Sequence, residues 1–155
     1  MFRIAFYKGT RPGIPGVYNY AVRAWTQGPY SHVELIFSDG LAGSSSFEDG
    51  GVRFKPIQFD PARWDIIELP AEWEAYARAY FEKRAKAGMK YDVRGNVHFV
   101  IGFVKGSDDR EFCSEAAAGA LRFIDPWRYH PNTLYSAVLR AVIAHELAPL
   151  NLKAA

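Results

Sequence analysis

The sequence predicts an α+β fold, an antiparallel sheet packed against helices, in a single domain spanning residues 1–155. Three observations carry that expectation. Two apolar runs flank Ser38-Asp39-Gly40, an Asp-Gly turn of the kind that joins hairpin strands. From Pro70 onward the apolar spacing changes from the period of a strand to that of a helix. The chain has 155 residues, 49% of them hydrophobic and 15% aromatic, enough to build one buried core.

Phe2 to Tyr7 reads as a short strand, closed by the polar, glycine- and proline-rich stretch Lys8 to Gly13. Pro15 to Thr26 has helical spacing through Val17, Tyr20, Ala21, Ala24 and Trp25, and Gly28-Pro29 breaks it. Ser31 to Phe37 and Leu41 to Phe47 form the hairpin strands. After Asp49-Gly50-Gly51, Val52 to Ile57 is extended, and Trp64 to Leu69 is a further strand. Ala71 to Ala87 is an amphipathic helix with Gly88 placed to end it. Tyr91 to Val104 is either a helix or an extended apolar stretch, followed by the polar loop Gly106-Ser107-Asp108-Asp109. A helix follows from Cys113 through Leu121. Pro131-Asn132-Thr133-Leu134 starts the last helix, reaching about Glu146, with Ala148 to Ala155 as a tail.

Charged residues make up 23% of the chain, carry both signs and leave a net charge of +2, with no Lys/Arg stripe. Nucleic acid is therefore not an expected partner. No apolar run approaches a membrane span, and the first residues become polar too soon for a signal peptide. The expected compartment is the cytoplasm, and a phage-associated protein would have the same composition. There is no Gly-rich phosphate loop, and one cysteine with scattered histidines does not make a closed zinc site. Neither a cofactor nor a metal is expected. Asp92 and Asp108-Asp109 read as solvated loop residues.

Cys113 is the only cysteine, so it has no internal disulfide partner. It stands in the first turn of a helix, facing unpaired backbone N–H groups, and such a position favours the reactive thiolate. A buried cysteine acting as a small apolar residue fits the same position. A nucleophile needs a base. Of the four histidines, His145 suits a helix C-terminus, His130 a cap or surface site before Pro131, and His98 an apolar core run. His32 opens the first hairpin strand, where a sheet end presents it to a neighbouring helix terminus. A three-residue loop with Gly40 in the left-handed conformation pairs Phe37 with Leu41, Glu34 with Ser44 and His32 with Ser46. Period-two alternation then puts His32, Glu34, Ser44, Ser46 and Glu48 on one face. A two-residue loop brings Ser45, Phe47 and Asp49 to that face instead.

Several of these segments resemble the circularly permuted NlpC/P60 papain-like proteins, the YiiX-like group. Tyr30 to Gly40 resembles their histidine hairpin, and Asp49-Gly50-Gly51-Val52-Arg53 the "GGV" turn that follows. Gly88-Met89-Lys90-Tyr91-Asp92 is similar to "G-x-x-YD", Phe112-Cys113-Ser114-Glu115 to the nucleophile motif "CSE", and Pro131-Asn132-Thr133-Leu134 to the start of the family's last helix. In order, they cover residue 30 to about residue 135.

The resemblance implies a permuted papain-like fold in which the histidine strand precedes the cysteine helix. It implies a cysteine hydrolase acting on a peptide, amide or acyl-ester substrate through an acyl-enzyme, with Cys113 as nucleophile and His32 as general base. Backbone N–H groups at the helix start would hold the oxyanion. Tyr91 matches a motif tyrosine and would line the site or serve as a core residue. The family's third residue falls about where Ser44 stands, and a serine orients a histidine only weakly. Glu48 and Glu34 are the substitutes on the same face. A non-catalytic binding module on the same scaffold and an acyltransferase are the competing functions.

Overall fold

The computed structural model describes residues 1–91 and 110–151. The hairpin around Ser38-Asp39-Gly40 lies at the centre of its sheet. Strands β1 (Arg3–Tyr7), β2 (His32–Ile36), β3 (Leu41–Ser46), β4 (Gly51–Pro56), β5 (Trp64–Glu68), β6 (Lys90–Tyr91) and β7 (Arg110–Glu111) are joined in the order β5-β1-β2-β3-β4-β6-β7. Every pairing is antiparallel except the two-residue β6–β7 contact, which is parallel. The helices are α1 (Ile14–Thr26), α2 (Glu74–Lys86), α3 (Cys113–Ala120) and α4 (Pro131–Asn151). The protein is thus an α+β structure, as expected.

The hairpin adopts the three-residue loop. Gly40 has φ 87°, a left-handed conformation that costs a residue with a Cβ, and the Phe37 N–H donates to the Leu41 carbonyl at 2.9 Å. Leu35 opposes Gly43 and Ile36 opposes Ala42, the register that this loop predicts. Beyond Leu35 the Ser44 hydroxyl reaches over, donating to the Val33 carbonyl at 2.7 Å.

Alternation along the strands gives the sheet two faces. Phe2, Ile4, Phe6, Val33, Leu35 and Phe37 point to one, where Ala77 and Phe81 of α2, the alanines of α3, and Leu134 and Val138 of α4 cover them. Alanine at 116, 117, 118 and 120 lets α3 lie close against β2 and β3, carrying Cys113 to the sheet end. Ala5, Tyr7, Ile36 and Trp64 cluster separately, with Phe59 packed on them. His32 and Glu34 share that second row, since Tyr7 opposes His32 and Ala5 opposes Glu34. All five residues of β2 are buried, which places both polar side chains inside the molecule.

Three boundaries differ from expectation. Residues 71–73 form a 3₁₀ turn before α2, which ends when the N–H groups of Gly88 and Met89 bond back to the carbonyls of Ala85 and Arg84. The short β7 was not anticipated, because two residues carry no period. Helix α4 runs through Pro149 to Asn151, past Glu146, because a proline this near the C-terminus interrupts only one late backbone bond. The expectations for 92–109, including His98, Asp92 and Asp108-Asp109, and for 152–155 lie outside the described residues.

The start of α4 pins the loop that leads into β2. The Asn132 Oδ1 accepts the Tyr30 N–H at 2.9 Å, and its Nδ2 donates to the Tyr30 carbonyl at 3.0 Å and to Thr26 Oγ1 at 2.7 Å. A Cβ on Gly28 would collide with this amide. Gly28→Ala is therefore expected to displace Asn132 and lower stability by about 1–3 kcal/mol, the cost of leaving buried polar groups unpaired. Urea unfolding of the variant checks this.

Candidate active site

Phe112 is extended and Cys113 is the first residue of α3. The first intrahelical bond there runs from the Ala116 N–H to the Phe112 carbonyl, so the amides of Cys113 and Ser114 precede the helix's own ladder. The preceding carbonyl, that of Glu111, accepts the Ser45 hydroxyl at 2.6 Å and ties the helix start to β3. Cys113 is a free thiol, 3% exposed.

The structure brings His32 to it. Both residues line one cavity, and the ring lies close enough to Cys113 for the charge of that residue to act on it. The other side of the ring is occupied, with Nε2 at 2.8 Å from Glu34 Oε1. Nδ1 is the ring nitrogen that Glu34 leaves unengaged. The indole of Trp64 stands edge-on to the imidazole, with ring centroids 6.3 Å apart.

Glu34 is held in turn. It is 1% exposed, and Arg53 grips it with two parallel bonds, Nη1 to Oε2 at 2.7 Å and Nη2 to Oε1 at 2.6 Å. Arg53 Nε also donates to Asp49 at 2.7 Å, and Lys55 Nζ donates to both oxygens of Asp49 at 2.8 and 2.6 Å. The result is a line of groups, Lys55–Asp49–Arg53–Glu34–His32–Cys113, in which each charge is followed by its opposite when imidazolium faces thiolate. A buried carboxylate is tolerable only with such partners.

The electrostatics follow from this line. Burial works against a charged His32, but the charge of Cys113 and the bond and charge of Glu34 outweigh burial and raise the imidazole to about 9. Burial likewise disfavours the Glu34 carboxylate. The hydrogen bonds from Arg53 and His32, with their charges, reverse this and hold Glu34 below the ordinary carboxylate range.

Of the three orienting candidates, Glu34 is the one bonded to His32. Ser44 donates instead to the carbonyls of Val33 and Ser45, and its hydroxyl is committed there. Glu48 pairs with Arg11 at 2.7 Å, at the rim of the cavity beside Cys113. Tyr91 lines that cavity and is also largely buried; its hydroxyl lies 3.0 Å from that of Tyr18, and its ring meets Phe47 edge-on. His130 accepts the Thr133 N–H at 3.2 Å on Nδ1, a cap at the start of α4. His145 pairs with Glu72 at 2.6 Å.

Two residues escaped the sequence reading. Arg53 opposes Ser44 across β3 and β4, so it falls on the same face as Glu34, and counting across both hairpins would have found it. Asn132 positions the loop before His32, and nothing in its spacing announces that contact.

The cavity, of about 520 Å³, is bounded by α1 on one side and by the Cys113–His32 pair on the other. Among the described residues, no cluster of His, Cys, Asp and Glu suited to a metal ion occurs, and no helix is long and apolar enough to cross a membrane. Comparison with protein-family models, curated proteins and solved structures yields no match, so the chemistry rests on the geometry of the site itself.

Proposed function

We propose that the protein is a cysteine hydrolase of the permuted papain-like type, cleaving an amide or ester bond through a Cys113–His32–Glu34 triad. The observation that carries this is the line from Cys113 to His32 and, by hydrogen bond, to Glu34, opening on a cavity large enough for a small-molecule or chain substrate. The chain order, with the histidine strand ahead of the cysteine helix, agrees with the permuted arrangement that the sequence motifs resemble.

The Cys113 thiolate attacks the acyl carbon, forming a C–S bond while the carbonyl π electrons move to oxygen. First-turn backbone N–H groups of α3 are placed to receive that oxyanion. As the tetrahedral species collapses, imidazolium His32 gives its proton to the leaving amine or alcohol, whose bond to carbon breaks. Neutral His32 then takes a proton from water, hydroxide adds to the thioester, and Cys113 leaves as thiolate with the proton returned to His32. Glu34 keeps the ring oriented and favours its cationic form, and Arg53 holds Glu34 ionised.

Alkylation of Cys113 by iodoacetamide tests this reading. At neutral pH the rate is expected to exceed that of a free thiol such as glutathione, and His32→Ala is expected to remove the advantage. Equal rates for glutathione, the protein and the variant would instead indicate a binding module that keeps the scaffold without the chemistry. Added amines or alcohols intercepting the acyl group in preference to water would make the protein an acyltransferase.

A further inference from the structure

Resting on the assignment of Cys113 as the reacting group, we infer that the segment between Lys8 and Tyr30 is a hinged flap over the site, latched at the cavity rim by the Arg11–Glu48 ion pair. The two stems of this segment stand side by side. It leaves the sheet after Tyr7 and rejoins it at Ser31, where Tyr7 faces His32 and the Ser31 N–H donates to the Tyr7 carbonyl at 2.9 Å. Both stems are fixed to the body. The Lys8 N–H donates to the Arg63 carbonyl at 2.9 Å and its Nζ pairs with Asp65 at 2.6 Å, while Asn132 brackets Tyr30 and reaches Thr26.

Between its stems the segment holds itself together. Arg23 of α1 donates to the carbonyls of Lys8 and Gly9 at 2.9 and 2.5 Å and to Thr10 Oγ1 at 2.8 Å, and Asn19 accepts the Arg11 N–H at 3.3 Å. A Cβ on Gly16 would strike the Arg11 carbonyl, so loop and helix lie in direct contact. The hold of α1 on the body is slight by comparison. Among its described residues only Gly16 and Asn19 are buried, whereas all of α3 except Glu115 is. Val17, Tyr20 and Trp25 are each more than half exposed. Elements with so little buried apolar surface open at low cost. One bonded to itself and rooted on adjacent stems swings as a body.

Away from the stems, polar contacts join the flap to the body across the cavity. Arg11 meets Glu48, on the turn after β3, at 2.7 Å, and the Tyr18 hydroxyl lies 3.0 Å from that of Tyr91 on β6. All four residues line the cavity, as does Cys113, which is only 3% exposed. A group that attacks or is attacked by the sulfur must therefore pass the rim that the ion pair spans. The Arg11 and Glu48 side chains are 30% and 42% exposed, so water and salt reach the latch and keep it weak enough to open.

Alkylation of Cys113 by a small neutral probe, iodoacetamide, and by a bulky one, a polyethylene-glycol maleimide, tests the flap. Arg11→Gln and Glu48→Gln are each expected to raise the ratio of bulky to small rates by about 1.5- to 5-fold, the range open to a partly exposed ion pair. The two substitutions change the charge beside the thiol in opposite directions. An effect of charge alone would move them apart, whereas an opened latch raises both ratios. The charge-exchanged double variant Arg11→Glu/Glu48→Arg restores the pair and should bring the ratio back. In the unaltered protein about 1 M NaCl should raise the ratio, and in Glu48→Gln it should not.

Unchanged ratios in both single variants, ratios displaced in opposite directions, or a double variant no closer to the unaltered protein than the singles would each overturn the latch. Helix α1 would then be a fixed wall, and the hydrolase would stand. The hydrolase fails on a different reading, an iodoacetamide rate that His32→Ala leaves unchanged. Because the ratio cancels the intrinsic reactivity of the sulfur, that failure would leave the flap intact.

Discussion

His32→Ala is expected to slow turnover by roughly 10²- to 10⁴-fold, the usual worth of a positioned general acid and base. The pH dependence distinguishes this role from a structural one. The imidazole is raised to about 9 because the cation is stabilised on both sides, by Cys113 and by Glu34. Collapse of the tetrahedral species needs a protonated His32, so kcat/KM of the unaltered protein should fall as pH rises through about 9. Alkylation of Cys113 needs no proton donor and should show no such fall.

The same shift has a stability consequence. A group whose pKa is higher in the folded than in the unfolded state stabilises the fold fully below its unfolded value, about 6.5 for histidine. That contribution is lost as pH rises through about 9. For Glu34 the sign is opposite: its contribution is present above the ordinary carboxylate range and is lost on acidification. Urea midpoints collected across pH should show both, and His32→Ala should remove the alkaline decline. A profile identical in the unaltered protein and the variant would show that the fold does not raise the proton affinity of His32.

What could be read from the sequence divides along physical lines. Local rules reached the hairpin: Asp-Gly demanded a tight turn, Gly40 accepted φ 87°, and the resulting register put His32 and Glu34 on one face. The side chain that meets the imidazole could not be chosen from that face alone, because Ser44, Glu48 and Glu34 all shared it. Competition from other partners decided among them. Ser44 bonds the Val33 carbonyl, Glu48 is drawn to Arg11, and Glu34 remains next to His32 under the hold of Arg53.

The cavity wall was less accessible still. Helix α1 was visible from its spacing, but its seat over the site depends on tertiary contacts. Arg23 donates to the carbonyl of Lys8 at 2.9 Å and to Thr10 Oγ1 at 2.8 Å, tying the helix to the loop that follows β1. Those are side-chain bonds from an exposed-looking arginine to backbone and loop atoms, and no periodicity encodes them. The same holds for Asn132, whose amide joins the first turn of α4 to residues about a hundred positions earlier.

The Glu34–Arg53 pair offers the largest effect on stability. Arg53→Met leaves a carboxylate that is 1% exposed without its bidentate partner, and removing one member of a buried ion pair typically costs about 3–5 kcal/mol. Glu34→Gln is milder, because the guanidinium keeps Asp49 at 2.7 Å and the amide oxygen can still accept from the His32 ring. Combining the two substitutions removes both charges together. The double variant should recover much of the loss in Arg53→Met, with a coupling of about 1–3 kcal/mol in a urea double-mutant cycle. Turnover should not recover in parallel. With a neutral amide at position 34 the imidazolium loses one of its two stabilising charges, so the alkaline limb of kcat/KM should move below about 9 in Glu34→Gln and in the double variant alike. Stability restored with the limb still displaced would mark Glu34 as the group that sets the proton affinity of His32. A limb that stays near 9 in both variants would reduce the pair to packing and leave Cys113 and His32 to act as a dyad.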